Sequence, residues 1–305
     1  MFAIATAGLL PGLWIHGCGG KGGGDQEVIG AGGLVTTTEA GGAAGTGGGR
    51  GCPTCGPLEQ CFENLFCVAK LVPVTGGYSI DATEVTRDQY AAWLATNPPT
   101  SGQGAMCSWN ADFTPNTAVP NDGCDVSFWP PAINGNHPVG CVDWCDAYAY
   151  CKAAGKRLCG KIGGGPNLYT DIGDASKSQW FNACSAGGIY NYPYGGNPSV
   201  GKYDGYAEQR CNGREKEVGT TVPVGSCPEC NSTEPGYTGV FDLSGNVWEW
   251  EDACQFSDGG SDYCRIRGGS YVAPFTNLRC YDPLNAFRRD QGSKLEIGFR
   301  CCSDP

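Results

Sequence analysis

The chain has 305 residues, enough for one large domain or two ordinary ones, and 31 acidic against 20 basic residues give it a net charge of −11, which argues against nucleic acid as a partner. Because His16 and His137 are its only histidines, zinc and iron sites built on several histidines are excluded, and only His137 could serve as the base of a Ser or Cys triad. Fifty glycines and 20 prolines predict much loop, and 20 cysteines favour an oxidising compartment over a reduced cytosol.

The N-terminus carries an apolar run followed by a cysteine. Residues 2–15 are about as long as the apolar part of a secretory signal and too short for a comfortable membrane span. Residues 15–18 (IHGC) resemble the end of a bacterial lipoprotein signal, although no Lys or Arg precedes the apolar run. We therefore predict a signal segment at 1–18, lipidation of Cys18 and attachment to a membrane of the cell envelope; the alternative is an ordinary secretory signal with an unrelated cysteine.

Two segments separate this start from the body of the chain. Nearly half of residues 19–51 are glycine and none is aromatic, so this segment is predicted to be a flexible tether. Residues 52–70 contain Cys52, Cys55, Cys61 and Cys67, a spacing that suits either two disulfides or a small metal knuckle. In an exported chain we favour disulfides, and the same holds for the pair Cys227 and Cys230.

Three helices are predicted in the remaining chain, among short strands and long loops. The first begins after Thr86, a good N-cap, and places Tyr90, Trp93 and Leu94 on one face. The second starts at Asp143 and stops near Gly155, and a shorter third helix covers about 176–184.

A series of motifs along residues 71–302 resembles the formylglycine-generating enzyme family, whose domains are also called sulfatase-modifying factor domains. The resemblance implies one α+β domain over 71–305, the family's variant of the C-type lectin fold, with little regular structure. In chain order the motifs are DATEVT (81–86), HPV (137–139), VDWCDAYAYC (142–151), AGKRL (154–158), YPYG (192–195), PVGS (223–226), FDLSGNVWEW (241–250), RGGS (267–270) and GFRC (298–301).

The chain departs from this family at the copper site. Active members oxidise a peptide cysteine to formylglycine with oxygen, using copper(I) held by two thiolates shortly after the serine of the RGGS motif. By resemblance the serine is Ser270, and the two ligand positions fall at Ala273 and Leu278, whose alkyl side chains supply no donor. Copper is therefore not expected. A nearby thiol, Cys280, fits a family disulfide better than it fits a displaced copper ligand.

The resemblance also implies disulfides. It joins Cys184 to Cys280 and Cys151 to Cys301, in both cases a helix to the C-terminal part of the chain. In the proline- and glycine-rich insertion at 97–136 we expect a bridge between Cys107 and Cys124, and we expect another between Cys254 and Cys264. The remaining cysteines allow many pairings.

The resemblance predicts calcium as a cofactor. The family's loop at the GNVWEW motif would use the carboxylates of Asp242 and Glu249 and the backbone carbonyls of Leu243, Gly245 and Val247, all hard oxygen donors. A second family site would begin at Asn212. The acidic loop that completes it in relatives has no clear counterpart in 214–218, so a second calcium ion is doubtful.

Two functions remain open on the sequence. The first is an exported, membrane-anchored scaffold that binds a peptide or protein ligand without oxidase chemistry. The second is a formylglycine-generating or related tailoring oxidase with a rearranged metal site. Nothing indicates a hydrolase, and His137 fits a packing position better than a catalytic base.

Overall fold

The computed structural model describes residues 52, 54–118, 123–125, 127–131, 133–256 and 259–305. The predicted signal segment at 1–18, the tether at 19–51 and the lipidation site Cys18 lie outside the described residues. Over the described ranges, no helix combines the length and the hydrophobicity that a membrane crossing requires.

The cysteine-rich segment forms a β-hairpin. Strand β1 (Glu59–Phe62) pairs antiparallel with β2 (Phe66–Ala69), and bridges Cys52–Cys61 and Cys55–Cys67 join it to the residues that precede it. These four cysteines are therefore bridged and do not form a metal knuckle. Phe66 and Val68 are buried in the main hydrophobic core, so the hairpin packs against the rest of the domain.

Two four-stranded sheets follow, and the C-terminus links them. One sheet has the order β3 (Leu71–Val74), β4 (Tyr78–Asp81), β10 (Cys301–Ser303), β5 (Arg157–Leu158). The other has the order β8 (Ala286–Arg288), β7 (Tyr263–Arg267), β6 (Trp248–Cys254), β9 (Ile297–Gly298). Because β9 lies in one sheet and β10 in the other, the last residues of the chain close both.

The helices begin where their caps predict. Helix α1 (Arg87–Leu94) and helix α2 (Trp144–Ala153) start after Thr86 and Asp143, and each start carries a reciprocal capping box. Helix α3 (Gln179–Cys184) is shorter than the predicted 176–184, because Ser178 is its N-cap and accepts a hydrogen bond from the Phe181 amide. Helices α1 and α2 contact each other through Tyr90 and Tyr150, whose stacked rings lie 5.6 Å apart in the core.

Nine disulfides join described cysteines pairwise, a number typical of extracellular or secreted proteins. The expected bridges Cys151–Cys301, Cys184–Cys280 and Cys254–Cys264 are present. The bridge Cys159–Cys302 was not predicted. The expected pairing of Cys227 with Cys230 is wrong, because Cys230 is bridged to Cys211.

The expected bridge between Cys107 and Cys124 is wrong. Cys107 ends a short 3₁₀ turn that lies on α2 and pairs with Cys145, while Cys124 pairs with Cys141 just before that helix. Both cysteines of the insertion thus bridge to residues at the start of α2 instead of to each other. Proximity in sequence suggested the pairing, but the packing of the insertion against the helix decides it.

The α2 cap provides a pH-dependent prediction. Burial, with the charges of Asp290 and Asp112, raises the pKa of Asp143 to about 7, so this carboxyl stabilises the fold below its unfolded pKa and the contribution is lost as the pH rises through about 7. Asp143→Asn keeps a cap acceptor without the charge. We expect urea denaturation to show this variant more stable than the wild type at pH 8 by about 1–2 kcal/mol, and equally stable at about pH 3.5, below the unfolded pKa of the carboxyl.

Asp143→Ala serves as the control for this cap, because it removes the acceptor as well as the charge. It should be less stable than Asp143→Asn by about 1 kcal/mol at both pH values. An Asn variant less stable than the wild type at pH 8 would contradict the assignment.

Candidate functional site

The loop that follows β7 holds the positions predicted to have lost copper ligands. Gly268 and Gly269 both have positive φ, 86° and 78°, and turn the chain sharply after the strand. A Cβ atom on Gly269 would lie 2.7 Å from Leu278 Cδ2 and 3.3 Å from Ala273 Cβ. Ala273 and Leu278 therefore converge on one glycine, and only 5 % and 2 % of their surfaces are exposed.

The retained serine lies beside this apolar pair. Ser270 is buried, and its carbonyl accepts a hydrogen bond from the Ala273 amide at 2.9 Å. Its hydroxyl has no hydrogen-bond partner within the described ranges. The next residue, Tyr271, donates its amide hydrogen to the carbonyl of Asn246, which fixes the loop against the GNVWEW motif.

These residues do not fit copper(I). No cysteine in the described part of the chain is a free thiol, and Cys280, Cys301 and Cys302 are all bridged. The same residues contain no group of three or more His, Cys, Asp or Glu side chains arranged to hold a metal. Since copper(I) prefers thiolate ligands, a pocket formed by alanine and leucine gives it no donor.

The loop predicted to bind calcium begins with residues in the left-handed conformation. Asp242, Gly245 and Asn246 have φ of 59°, 78° and 61°. A Cβ on Gly245 would lie 2.4 Å from the Asn212 carbonyl oxygen, so no larger residue fits there. Asn246 holds the loop in place, because its side chain bonds both the Val222 amide and the carboxylate of Glu84.

Three buried carboxylates and one guanidinium meet at this loop. Arg300 donates to both oxygens of Glu249 at 2.7 Å, and Trp180 donates to one of them at 2.8 Å. Asp242 accepts from the Gly225 amide through one oxygen. Its other oxygen, and one oxygen of Glu84, are buried and have no hydrogen-bond partner among the residues that the structure describes.

The charges at this loop do not balance. Burial, together with Glu249, raises the pKa of Asp242 to about 7, and burial and the charge of Asp242 raise the pKa of Glu84. The carboxylates thus outnumber the single guanidinium, and two of their oxygens lack donors. Asp242 and Glu84 offer oxygen donors of the kind that calcium prefers, but Arg300 and Trp180 occupy both oxygens of Glu249 in this arrangement. Calcium binding at this loop stays a prediction, and Glu84 is a carboxyl group that the sequence analysis did not include.

Two other residues predicted to bind calcium, Leu243 and Asn212, lie in different surroundings. The carbonyl oxygen of Leu243 faces Gly268, where a Cβ would come within 2.8 Å of it. The Asn212 side-chain oxygen is buried without a partner, but Glu215 in the following 3₁₀ turn (Arg214–Lys216) bonds the Phe275 amide and the Tyr206 hydroxyl. A second calcium ion stays a doubtful prediction.

Calcium should stabilise the fold if it binds at this loop. We expect calcium added to chelator-treated protein to raise the melting temperature, equivalent to about 2.7 kcal/mol when calcium is present at 100 times its dissociation constant. Asp242→Asn, which removes one carboxylate, should weaken this response. A melting temperature that neither chelator nor calcium changes would exclude the site.

A polar cluster beside the GNVWEW loop, where the Asn246 side chain accepts from the Val222 amide, includes residues that the sequence analysis did not single out. Nδ1 of His137 lies 2.9 Å from the Thr221 hydroxyl, which is also 3.5 Å from Nη2 of Arg87. Burial and the Arg87 charge lower the pKa of His137 to about 4, so its ring is neutral at pH 7. The sequence contains one signal for Arg87: a cation at the first position of a helix is unfavourable, because it opposes the helix dipole.

An aromatic surface lies next to the apolar pair. The Phe275 ring packs 5.1 Å from Tyr203 and 5.1 Å from Tyr206, and all three residues are half-buried. Lys202 and Arg279 place their cationic groups 4.8 Å and 5.3 Å from the Tyr203 ring. Such half-exposed rings with adjacent cations are typical of surfaces that bind other molecules.

Comparison with known proteins agrees with the motifs. A 192-residue alignment to the mouse formylglycine-generating enzyme is 30 % identical and covers 55 % of this chain, while the chain spans only 45 % of that enzyme. The bovine inactive C-alpha-formylglycine-generating enzyme 2 is 28 % identical over 173 residues, 54 % of this chain and 50 % of that protein. The crystal structure of CarF aligns with a TM-score of 0.44 and 22 % identity, over 75 % of this chain and 86 % of CarF.

The family model for the sulfatase-modifying factor enzyme 1-like domain matches residues 41–305, which include both sheets, the apolar pair and the GNVWEW loop. With its α+β architecture and its motifs in the family's order, the chain belongs to the sulfatase-modifying factor family, which includes the formylglycine-generating enzymes.

Proposed function

We propose that this protein is an exported, non-catalytic member of its family that binds a peptide or protein ligand beside the loop 268–280. The observation that carries the proposal is the buried pair Ala273 and Leu278, which converge on Gly269 where active relatives are expected to hold copper(I). Without thiolates at these positions, the oxygen chemistry of the family has no metal to act through.

Binding is the function that the retained features support. The aromatic surface of Tyr203, Tyr206 and Phe275 borders the apolar pair, and the disulfides hold the surrounding loops with little regular secondary structure. A rigid scaffold with half-exposed rings loses little conformational entropy on binding a chain. The similarity to a bovine relative named inactive is compatible with a family member that has lost the reaction.

We also propose that the protein is exported and anchored to a membrane. The many disulfides support an oxidising compartment, and the motif at 15–18 supports a lipid anchor on Cys18. Metabolic labelling with a fatty acid should label the wild-type protein but not Cys18→Ala. A wild type without label, or label that survives the substitution, would exclude the anchor.

The catalytic part can be tested with a peptide. We expect a Cys-x-Pro-x-Arg peptide incubated with the oxidised protein, copper(I) and oxygen to gain no aldehyde by mass spectrometry, while an active relative converts it under the same conditions. Aldehyde formation by the wild type would overturn the proposal and restore the oxidase alternative.

A further inference from the structure

Arg87 is a buried cation in an unfavourable position. It is the first residue of α1, where the helix dipole disfavours positive charge, and only 7 % of its surface is exposed. Burial lowers its pKa to about 10, which still leaves the guanidinium charged at pH 7. Proteins normally place an anion beside such a group.

The contacts of Arg87 within the protein are weak. Nε donates to the Pro138 carbonyl at 3.4 Å, Nη2 donates to the Thr221 hydroxyl at 3.5 Å, and the guanidinium carbon lies 4.3 Å from the Phe128 ring centre. Across the described ranges, neither Nη1 nor any other nitrogen of Arg87 has a carboxylate partner. The one carboxylate in its own helical turn, Asp88, is exposed.

The other buried arginines described here each have close polar partners that account for their burial. Arg267 and Arg300 contact the carboxylates of Glu251 and Glu249 at 2.6 Å and 2.7 Å, and Arg289 contacts Asp262 at 3.3 Å. Arg265, which stacks on Tyr169, is held by carbonyl oxygens at 3.1 Å and 2.7 Å. Among the described residues, Arg87 has neither a carboxylate partner nor carbonyl contacts as short as those of Arg265.

Apart from the Phe128 ring and the Pro138 carbonyl, the groups that contact or influence Arg87 are polar and uncharged. The Thr221 hydroxyl links it to His137, whose ring is neutral. The pKa of Tyr271 is raised by burial and by Glu296 and lowered by Arg87, so its hydroxyl is within electrostatic range of the guanidinium and stays protonated. No described side chain that contacts Arg87 carries a negative charge, although the chain as a whole has a net charge of −11. An anion from a bound ligand would supply the missing counter-charge.

We propose that Arg87, with hydrogen-bond donors from Thr221 and Tyr271, binds a carboxylate group of the ligand beside Ser270. A guanidinium pairs with a planar carboxylate through two parallel hydrogen bonds, and one cation balances one negative charge. A phosphate dianion would bring a second charge that no neighbouring cation balances. The inference rests on the proposed function in placing the ligand near the loop 268–280, and it adds the ligand's chemical group.

The two histidines of the chain make the site observable. In protein with labelled histidine, NMR at pH 8, where inorganic phosphate is mainly a dianion, reports the neutral His137 ring next to Arg87, and loss of the signal in His137→Asn assigns it. Acetate is the probe, acetamide is its uncharged analogue, and inorganic phosphate is the competing anion. Ionic strength is kept constant with chloride.

We expect acetate to shift the His137 signals saturably and acetamide to leave them unchanged. Arg87→Gln should raise the acetate dissociation constant at least tenfold, and Arg87→Lys should raise it less, because one ammonium keeps the charge but not the paired donors. Arg210→Gln, which removes an exposed arginine stacked on Tyr194, should change it less than twofold.

No saturable shift in the wild type, unchanged binding in a folded Arg87 variant, or tighter binding of phosphate than of acetate would overturn the proposal. The wild-type titrations decide the question even where a variant fails to fold. Aldehyde formation from a cysteine peptide would refute the proposed function without affecting acetate binding, so the two failures are distinguishable.

Discussion

Removing both bridges between the α2 region and β10 should lower the free energy of unfolding by about 7 kcal/mol, whereas removing either alone should cost about 3 kcal/mol. The bridges are Cys151–Cys301 and Cys159–Cys302, with sequence separations of 150 and 143. Cys151 lies eight residues before Cys159, and Cys301 is adjacent to Cys302. The two bridges therefore join nearly the same two parts of the chain. We expect denaturant curves of the two double-alanine variants and of the quadruple variant to show this non-additivity.

The physical reason is the size of the loop that each bridge closes. While one bridge remains, the other closes only a small ring through 151–159 and 301–302, and its loss releases little entropy in the unfolded chain. When both are absent, the larger loop through 151–184 and 280–301 is released, because the bridge Cys184–Cys280 remains and shortens the path between the two ends. Equal and additive losses would show that the stabilisation comes from local contacts instead.

Replacing Arg300 by Met should lower the free energy of unfolding by about 3–5 kcal/mol, because the substitution leaves Glu249 buried without its counter-charge. Arg300 is fully buried and also donates to the carbonyls of Asp81 and Phe241 at 3.0 Å and 2.8 Å, so its loss disrupts four contacts. Thermal and urea denaturation of the oxidised protein measure the effect.

A surface pair provides the control for Arg300. Arg288 and Asp290 form an ion pair in which 48 % and 30 % of the side chains are exposed, and Arg288→Met should cost less than about 1 kcal/mol. Arg300→Met combined with Glu249→Gln should be less damaging than Arg300→Met alone, since the unpaired charge is removed. A small loss in Arg300→Met would contradict the account of this cluster.

Local features of the fold could be predicted from sequence. The starts of α1 and α2 depend on Thr86 and Asp143 and on partners three residues later, so neighbouring residues contain the whole signal. The partner of Cys107 could not be predicted, because Cys145 becomes its neighbour only when the insertion folds onto α2. The bridge Cys159–Cys302 depends in the same way on the pairing of β5 with β10.

The candidate site likewise contains residues that the sequence could predict and residues that it could not. Ala273 and Leu278 could be singled out by their distance from the RGGS motif, and the structure adds that both lie against Gly269. Glu84 could not be recognised, because its importance depends on burial and on an oxygen without a partner among the described residues, which only the packed structure reveals. Arg87 carried a sequence signal, a cation at the start of α1, but its burial could not be read from the sequence.

Copper(I) titration of the exported, oxidised protein tests the central claim most directly. Under conditions in which an active relative binds one equivalent tightly, we predict that the wild type binds none and shows no thiolate-to-copper absorption. Ala273→Cys combined with Leu278→Cys should gain binding, because the two side chains converge, whereas the matched double serine variant should not. One tightly bound equivalent in the wild type, with thiolate absorption, would contradict the account.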